Sequence, residues 1–181
     1  YIIGQYHEWF TCLVEKNTHN LNSFAQNISL LGLVRRTTGH ADYSDLWLII
    51  PGMALFALPY LRFSQYKNLA FRETILASVL LFVILFSTGS EASGYVIALL
   101  GVCIWYTAAP WKRGKWAIAL MVFVFILSGM GNCDLIPKTI RHDYIQTYAL
   151  RALPISIVWL WLCYELCTKD YTPIEKVNAH E

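Results

Sequence analysis

The chain has 181 residues, of which 56% are hydrophobic and only 14% are charged, and its formal net charge is +2. Soluble domains average roughly 25% charged residues, so this composition excludes a disordered chain, a nucleic-acid-binding arm and a charged surface module. Together with a mean hydropathy of +0.43, it predicts an all-α, polytopic membrane protein.

Residues 1–45 are predicted to form a segment outside the membrane that contains one amphipathic helix. Apolar residues recur at helical spacing from Leu21 to Gly32, and Asn20 is the predicted N-cap. Arg35 and Arg36 come at the far end, where cations interact favourably with the helix dipole. We therefore expect this helix to lie on the outer membrane interface.

Five apolar runs follow, and a membrane-spanning helix needs about 20 residues. Several of the runs are a few residues short, so flanking polar residues are expected to complete the crossing by snorkelling. They predict a five-span bundle over residues 46–167, followed by a cytoplasmic tail over residues 168–181. The runs are Leu46–Leu61, Thr74–Ser87, Gly94–Ala109, Trp116–Asn132 and Ala149–Cys167.

The distribution of basic residues predicts the orientation of the bundle. Lys112, Arg113 and Lys115 lie in a six-residue connection without an acidic residue, whereas the loops around Glu91 and Asp134 lack such an excess. The positive-inside rule then places the basic connection in the cytoplasm and the other two loops outside. Glu165, near the end of the last run, is expected to reach the cytoplasmic interface by snorkelling.

The outward loops carry the residues that could bind a substrate. Glu91 is either a polar ligand in an outward cavity or a solvated loop carboxylate. The basic residues on this side either bind a phosphate or anchor the protein to lipid headgroups; they are Arg35, Arg36, Lys138, Arg141 and His142.

Metal and cofactor sites are not expected. The five cysteines have neither ligand spacing nor a disulfide pattern, and the histidines near the N-terminus lack helical or hairpin ligand spacing. No phosphate-binding loop or dinucleotide glycine motif is present.

Two segments resemble glycosyltransferase family 87, the polyprenyl-phosphate-mannose-dependent enzymes of the GT-C fold. The family stretch Asn-x-Ser-x-x-Gly-x-x-x-Arg falls on Asn27, Ser29, Gly32 and Arg36, or on Arg35 if the spacing shifts by one. The second segment is similar to the family's outer turn Ser-Pro-x-Ser-Trp-x-His-His-Tyr-Val, and its matching residues are Ser87, Ser90, Tyr95 and Val96.

This second segment also departs from the family pattern. Thr88, Glu91, Ser93 and Gly94 replace the proline, the tryptophan and both histidines. The chain is more similar to a bacterial branch that has a Ser-Glu-x-x-x-Tyr turn and an Asp-Leu-x-Pro-Lys loop, here residues 134–138.

The resemblance implies a multi-pass enzyme of the bacterial inner membrane that transfers a sugar, expected to be mannose, from a polyprenyl-phosphate donor. The partners would be that donor, a glycolipid or glycan acceptor and membrane lipids, with no nucleic acid. The implied substrate-binding residues are Asn27, Arg35, Arg36, Ser90, Glu91, Lys138 and Arg141. The chain is then expected to be the C-terminal part of the enzyme, with the general base upstream of Tyr1.

The sequence leaves two alternatives open. A transporter or flippase-type subunit for a lipid or anion would show paired charges and broken helices within its spans. A structural membrane subunit would leave the charged outer residues scattered, whereas the enzyme predicts that Arg35, Glu91 and Lys138 converge on a wet cavity.

Overall fold

Helices form every element in the part of the chain that the computed structural model describes, namely residues 2–21, 27–39, 44–131, 133–134 and 136–172. The α-helices are α1 (Ile2–Leu21), α2 (Leu30–Thr38), α3 (Leu46–Ala57), α4 (Leu69–Leu85), α5 (Tyr95–Ala108), α6 (Lys115–Val124), α7 (Lys138–Ile140) and α8 (Ala152–Thr168). Short 3₁₀ turns follow α3 at Leu58–Leu61 and Phe63–Lys67, and π-helical turns extend α6 over Phe125–Gly129 and α7 over Arg141–Gln146.

The core lies where α4 packs against α5 and α8. Phe71 and Leu81 of α4, Val102 of α5 and Ile155 of α8 are fully buried. Gly101 lets α4 and α5 approach closely, since a Cβ at this position would lie 3.2 Å from side-chain atoms of Leu81. The apolar faces of these three helices therefore supply most of the buried hydrophobic surface.

Aromatic rings extend this core along α8. The Trp159 ring lies 5.8 Å from Phe82 and 5.3 Å from Phe86, between ring centroids. Its indole N–H donates to Ser78 Oγ at 3.2 Å, so the one polar atom of this buried ring has a partner.

The predicted membrane-spanning bundle is wrong for the residues that the structure describes, because none of their helices is both long and apolar enough to cross a bilayer. The apolar helices α4 and α8 have 17 residues each, whereas a span needs about 20. The first predicted span is interrupted at Leu58–Leu61, where a 3₁₀ turn containing Pro59 replaces the α-helix. The predicted multi-pass location in a bacterial inner membrane is contradicted by the same finding.

The predicted helix starting at Asn20 is also placed differently. Asn20 lies in the last turn of α1, and α2 begins only at Leu30, with Ser29 as its N-cap. Arg35 and Arg36 occupy the last turn of α2, as predicted. Residues 22–26 of the predicted helix and residues 173–181 of the predicted tail lie outside the described residues.

Candidate functional site

The turn before α2 is joined to the turn between α4 and α5. The Ile28 N–H donates to the Ser90 carbonyl at 2.9 Å, and the Tyr95 hydroxyl donates to the Ile28 carbonyl at 2.7 Å. The Ser90 hydroxyl itself donates to the Ile84 carbonyl at 2.6 Å. Because Ser90 and Tyr95 are both buried, these bonds fix the start of α2 against the bundle.

Asn27, Ser29 and Gly32 form one local structure at this turn. The Ser29 hydroxyl donates to Asn27 Oδ1 at 2.7 Å and accepts from the Gly32 N–H at 3.2 Å. Asn27 is buried and has a φ of 58°, a left-handed conformation that asparagine tolerates better than most residues. A Cβ on Gly32 would lie 1.9 Å from the Asn27 carbonyl oxygen, so the turn requires glycine there.

The two arginines at the end of α2 contact different parts of the molecule. Arg35 forms an ion pair with Asp45, with 2.7 Å between its nitrogen and the carboxylate oxygen. Arg36 donates to the Gln146 carbonyl at 2.7 Å, and burial lowers the pKa of its guanidinium. Arg36 therefore joins α2 to the π-helical turn that follows α7.

That π-helical turn borders a cavity of about 490 Å³, whose described lining residues are Lys138, Arg141, His142 and Gln146. Its volume is within the range of about 300–1,000 Å³ that is usual for small-molecule sites. Three of these side chains can carry positive charge, and none of the four carries a carboxylate. The cavity is therefore suited to an anionic ligand.

Two carboxylates lie beside this cavity and reduce its positive charge. Arg141 pairs with Asp134 at 2.9 Å, and His142 Nδ1 lies 3.2 Å from an Asp143 oxygen. The Asp134 side chain is 96% exposed, so water screens its attraction for Arg141.

The structure brings together only part of the predicted substrate-binding set. Lys138 and Arg141 line the cavity and Arg36 contacts its wall through Gln146, whereas Arg35 pairs with Asp45 instead. Glu91 is exposed and is not among the described lining residues of this cavity. Asn27 and Ser90 lie buried at the opposite end of α2, where they fix the turn.

Arg151 is a buried cation whose partners were not predicted from the sequence. Its Nε and NH2 groups donate to the Ser128 carbonyl at 3.1 and 2.6 Å, and its guanidinium carbon lies 4.6 Å from the centre of the Tyr95 ring. Burial lowers the pKa of Arg151 and raises the pKa of Tyr95. Arg151 thus supports the tyrosine that holds the turn before α2. In the sequence it lies near the start of the apolar run Ala149–Cys167, and its position there does not reveal its partners.

A second buried charge, Glu165, lies inside the bundle rather than at an interface. Glu165 accepts from Arg113 at 2.6 Å and from the Trp105 indole N–H at 2.8 Å, while the Arg113 guanidinium packs on the Trp105 ring at 4.3 Å. The expectation that Glu165 snorkels outward is therefore wrong. This ion pair joins α8 to the connection between α5 and α6. Each of its two charges has the other as its counter-ion.

No protein-family model, curated protein or solved structure shows a significant match to this chain. The resemblance to glycosyltransferase family 87 consequently stays a prediction that depends on the two short motifs.

Proposed function

We propose that the chain binds a phosphate-linked sugar donor, with the phosphate in the cavity of Lys138, Arg141 and His142. The observation that carries this proposal is the cavity itself, which has cationic side chains on its wall and a volume of about 490 Å³. Lys138 would act as a point charge, and Arg141 would offer paired N–H donors to the phosphate oxygens. A transferase uses such contacts to stabilise the phosphate as it leaves the sugar.

The geometry of α2 gives the family-like motif a physical role in this proposal. Ser29 caps the helix, Gly32 allows the helix to pack on the Asn27 carbonyl, and Arg36 reaches the cavity wall one turn later. The four residues of the motif are therefore explained by the placement of a single arginine beside the cavity. The resemblance of this motif to glycosyltransferase family 87 is what suggests a polyprenyl-phosphate sugar, expected to carry mannose, as the donor and a glycolipid or glycan as the acceptor.

The alternative of a transporter or flippase-type membrane subunit is not developed further, because no contact among the described residues favours it over the binding of a donor. We assign no general base in this chain, and the proposal concerns the binding of the donor and its phosphate.

Donor binding can be tested by titrating polyprenyl-phosphate mannose into the protein in a neutral detergent. We expect Lys138→Ala to weaken binding about tenfold, because a charge-assisted hydrogen bond contributes roughly 1.5–3 kcal/mol. Lys112→Ala is the matched control, since Lys112 is an exposed lysine in the connection between α5 and α6 and should leave the affinity unchanged.

Two further titrations separate the contributions of the two parts of the donor. One uses polyprenyl phosphate that carries no sugar, and the other uses free mannose. The proposal predicts measurable binding of polyprenyl phosphate, and about tenfold weaker binding of it to Lys138→Ala. Equal affinities of the wild type and Lys138→Ala for every ligand would overturn it.

A further inference from the structure

Helix α1 presents an apolar surface that the rest of the described chain does not cover. Tyr6 is 68% exposed, Trp9 61% and Phe10 63%, and Leu13 and Val14 are also exposed. We call these five side chains the α1 stripe. The C-terminal end of α1 contacts the rest of the fold, since Asn20 is buried and its side-chain nitrogen would lie 3.6 Å from a Cβ on Gly89.

The side chains of the α1 stripe lie on one face of the helix. Tyr6, Phe10 and Leu13 follow one another at intervals of four and three residues and form the seam along the middle of this face. Trp9 and Val14 flank this seam. Most of the stability of helices in proteins comes from tertiary packing of an apolar face, so packing of the α1 stripe is the expected source of the stability of α1.

The charges of α1 favour a protein partner over a lipid surface. Helices that lie on membranes are rich in lysine and arginine on their polar face. In α1 the side opposite the stripe carries Glu8 and Glu15, and Lys16 is the only lysine or arginine in the helix.

We propose that the chain forms a homodimer in which the α1 stripes of two copies pack against each other. Three aromatic side chains that are about two-thirds exposed, with Leu13 and Val14, offer on the order of 500 Å² per copy. Two copies would bury about 1,000 Å² in total, which is near the lower limit of specific interfaces and predicts a weak dimer. Pairing along the stripe leaves Glu8 and Glu15 on the outer sides, so it brings no carboxylates together.

The full chain can be tested by sedimentation equilibrium across the micromolar range. We expect the mass to rise from 20.8 kDa towards twice that value as the protein concentration increases. Phe10→Lys with Leu13→Lys should remain monomeric, because each lysine would have to be buried without a partner in the seam. Thr11→Lys with Cys12→Lys adds the same charge outside the α1 stripe and should still dimerise.

The variant Phe10→Leu with Trp9→Leu distinguishes a folding defect from a loss of pairing. It keeps the surface of α1 apolar and should still form the dimer. Circular dichroism of each variant reports whether the remaining helices are intact. The proposal would be overturned by a wild-type protein that stays monomeric, whether or not it co-sediments with phosphatidylcholine vesicles. Dimerisation of the Phe10→Lys, Leu13→Lys variant would also overturn it, because other apolar faces would then hold the copies together.

Discussion

Gly32 shows how a single residue determines the local structure beside the candidate site. The helix packs so closely on the preceding turn that a Cβ at this position would lie 1.9 Å from the Asn27 carbonyl oxygen. Backbone atoms cannot move aside as a flexible side chain can, so any substitution must displace the turn or the helix.

We therefore expect Gly32→Ala to lower the free energy of unfolding by about 2–3 kcal/mol. Gly4→Ala is the control, because nothing lies within 4 Å of a Cβ at that helical position and alanine is favoured there by about 0.5–1 kcal/mol. Urea denaturation followed by circular dichroism measures both changes. Equal stability of the two variants would contradict the close approach at Gly32.

Glu165 is a residue at which a buried charge affects stability. Its side chain and that of Arg113 are 4% and 7% exposed, so removal of either charge leaves the other buried without a counter-ion. Glu165→Gln is expected to cost about 3–5 kcal/mol in the free energy of unfolding. The exposed Glu8→Gln should change it by less than about 0.5 kcal/mol.

The double variant Arg113→Met with Glu165→Leu tests whether the uncompensated buried charge causes the loss of stability expected for Glu165→Gln. Replacing both charges by apolar side chains avoids an uncompensated charge and should recover most of the lost stability. A double variant that is as unstable as the sum of the single changes would mean that packing, rather than charge, dominates at this position.

At the scale of the element, α2 depends on its N-terminal cap. Ser29 is buried and its hydroxyl accepts from the Gly32 N–H at 3.2 Å. Ser29→Ala should destabilise the protein by about 1 kcal/mol. It should also weaken donor binding under the proposed function, because α2 places Arg36 beside the cavity.

Ser44→Ala provides the comparison for the cap of α2. Ser44 is exposed and its hydroxyl accepts only a long bond, 3.4 Å, from the Leu46 N–H. Chemical denaturation should show a change of less than about 0.5 kcal/mol for this variant. A loss in Ser44→Ala as large as that in Ser29→Ala would contradict a special role of the α2 cap.

At the scale of the whole molecule, buried acidic groups make the fold sensitive to high pH. Burial raises the pKa of the Cys163 thiol from 9.0 to about 12, and it also raises the pKa of Tyr95 and of Tyr171. The unfolded chain therefore releases these protons at a lower pH than the folded chain does. The folded state therefore binds more protons in that range. These groups make their full contribution to the free energy of unfolding below pH 9, and this contribution is lost as the pH rises.

We expect the free energy of unfolding to decrease steadily between pH 9 and pH 12 in urea titrations. Cys163→Ala should make this decrease shallower, because it removes one of the buried groups. Cys12→Ala should leave the slope unchanged, since Cys12 is exposed. A slope that Cys163→Ala does not alter would exclude the buried thiol as a contributor.

The sequence by itself determined that the chain is helical and where most of its helices lie. The five apolar runs overlap α3, α4, α5, α6 and α8, because these runs are longer than typical strands and their length favours helix. The position of Arg35 and Arg36 at the end of a helix was likewise accessible, since it follows from local helix signals.

Only the tertiary structure decided how far each helix extends and which side chains meet. An apolar run does not reveal that a 3₁₀ turn ends α3 or that α6 changes to a π-helical turn at Phe125. Arg36 meets Gln146 across 110 positions of the chain, and Arg113 meets Glu165 across 52. Such pairs depend on the packing of whole helices, and packing is a property of the folded chain that no local pattern contains.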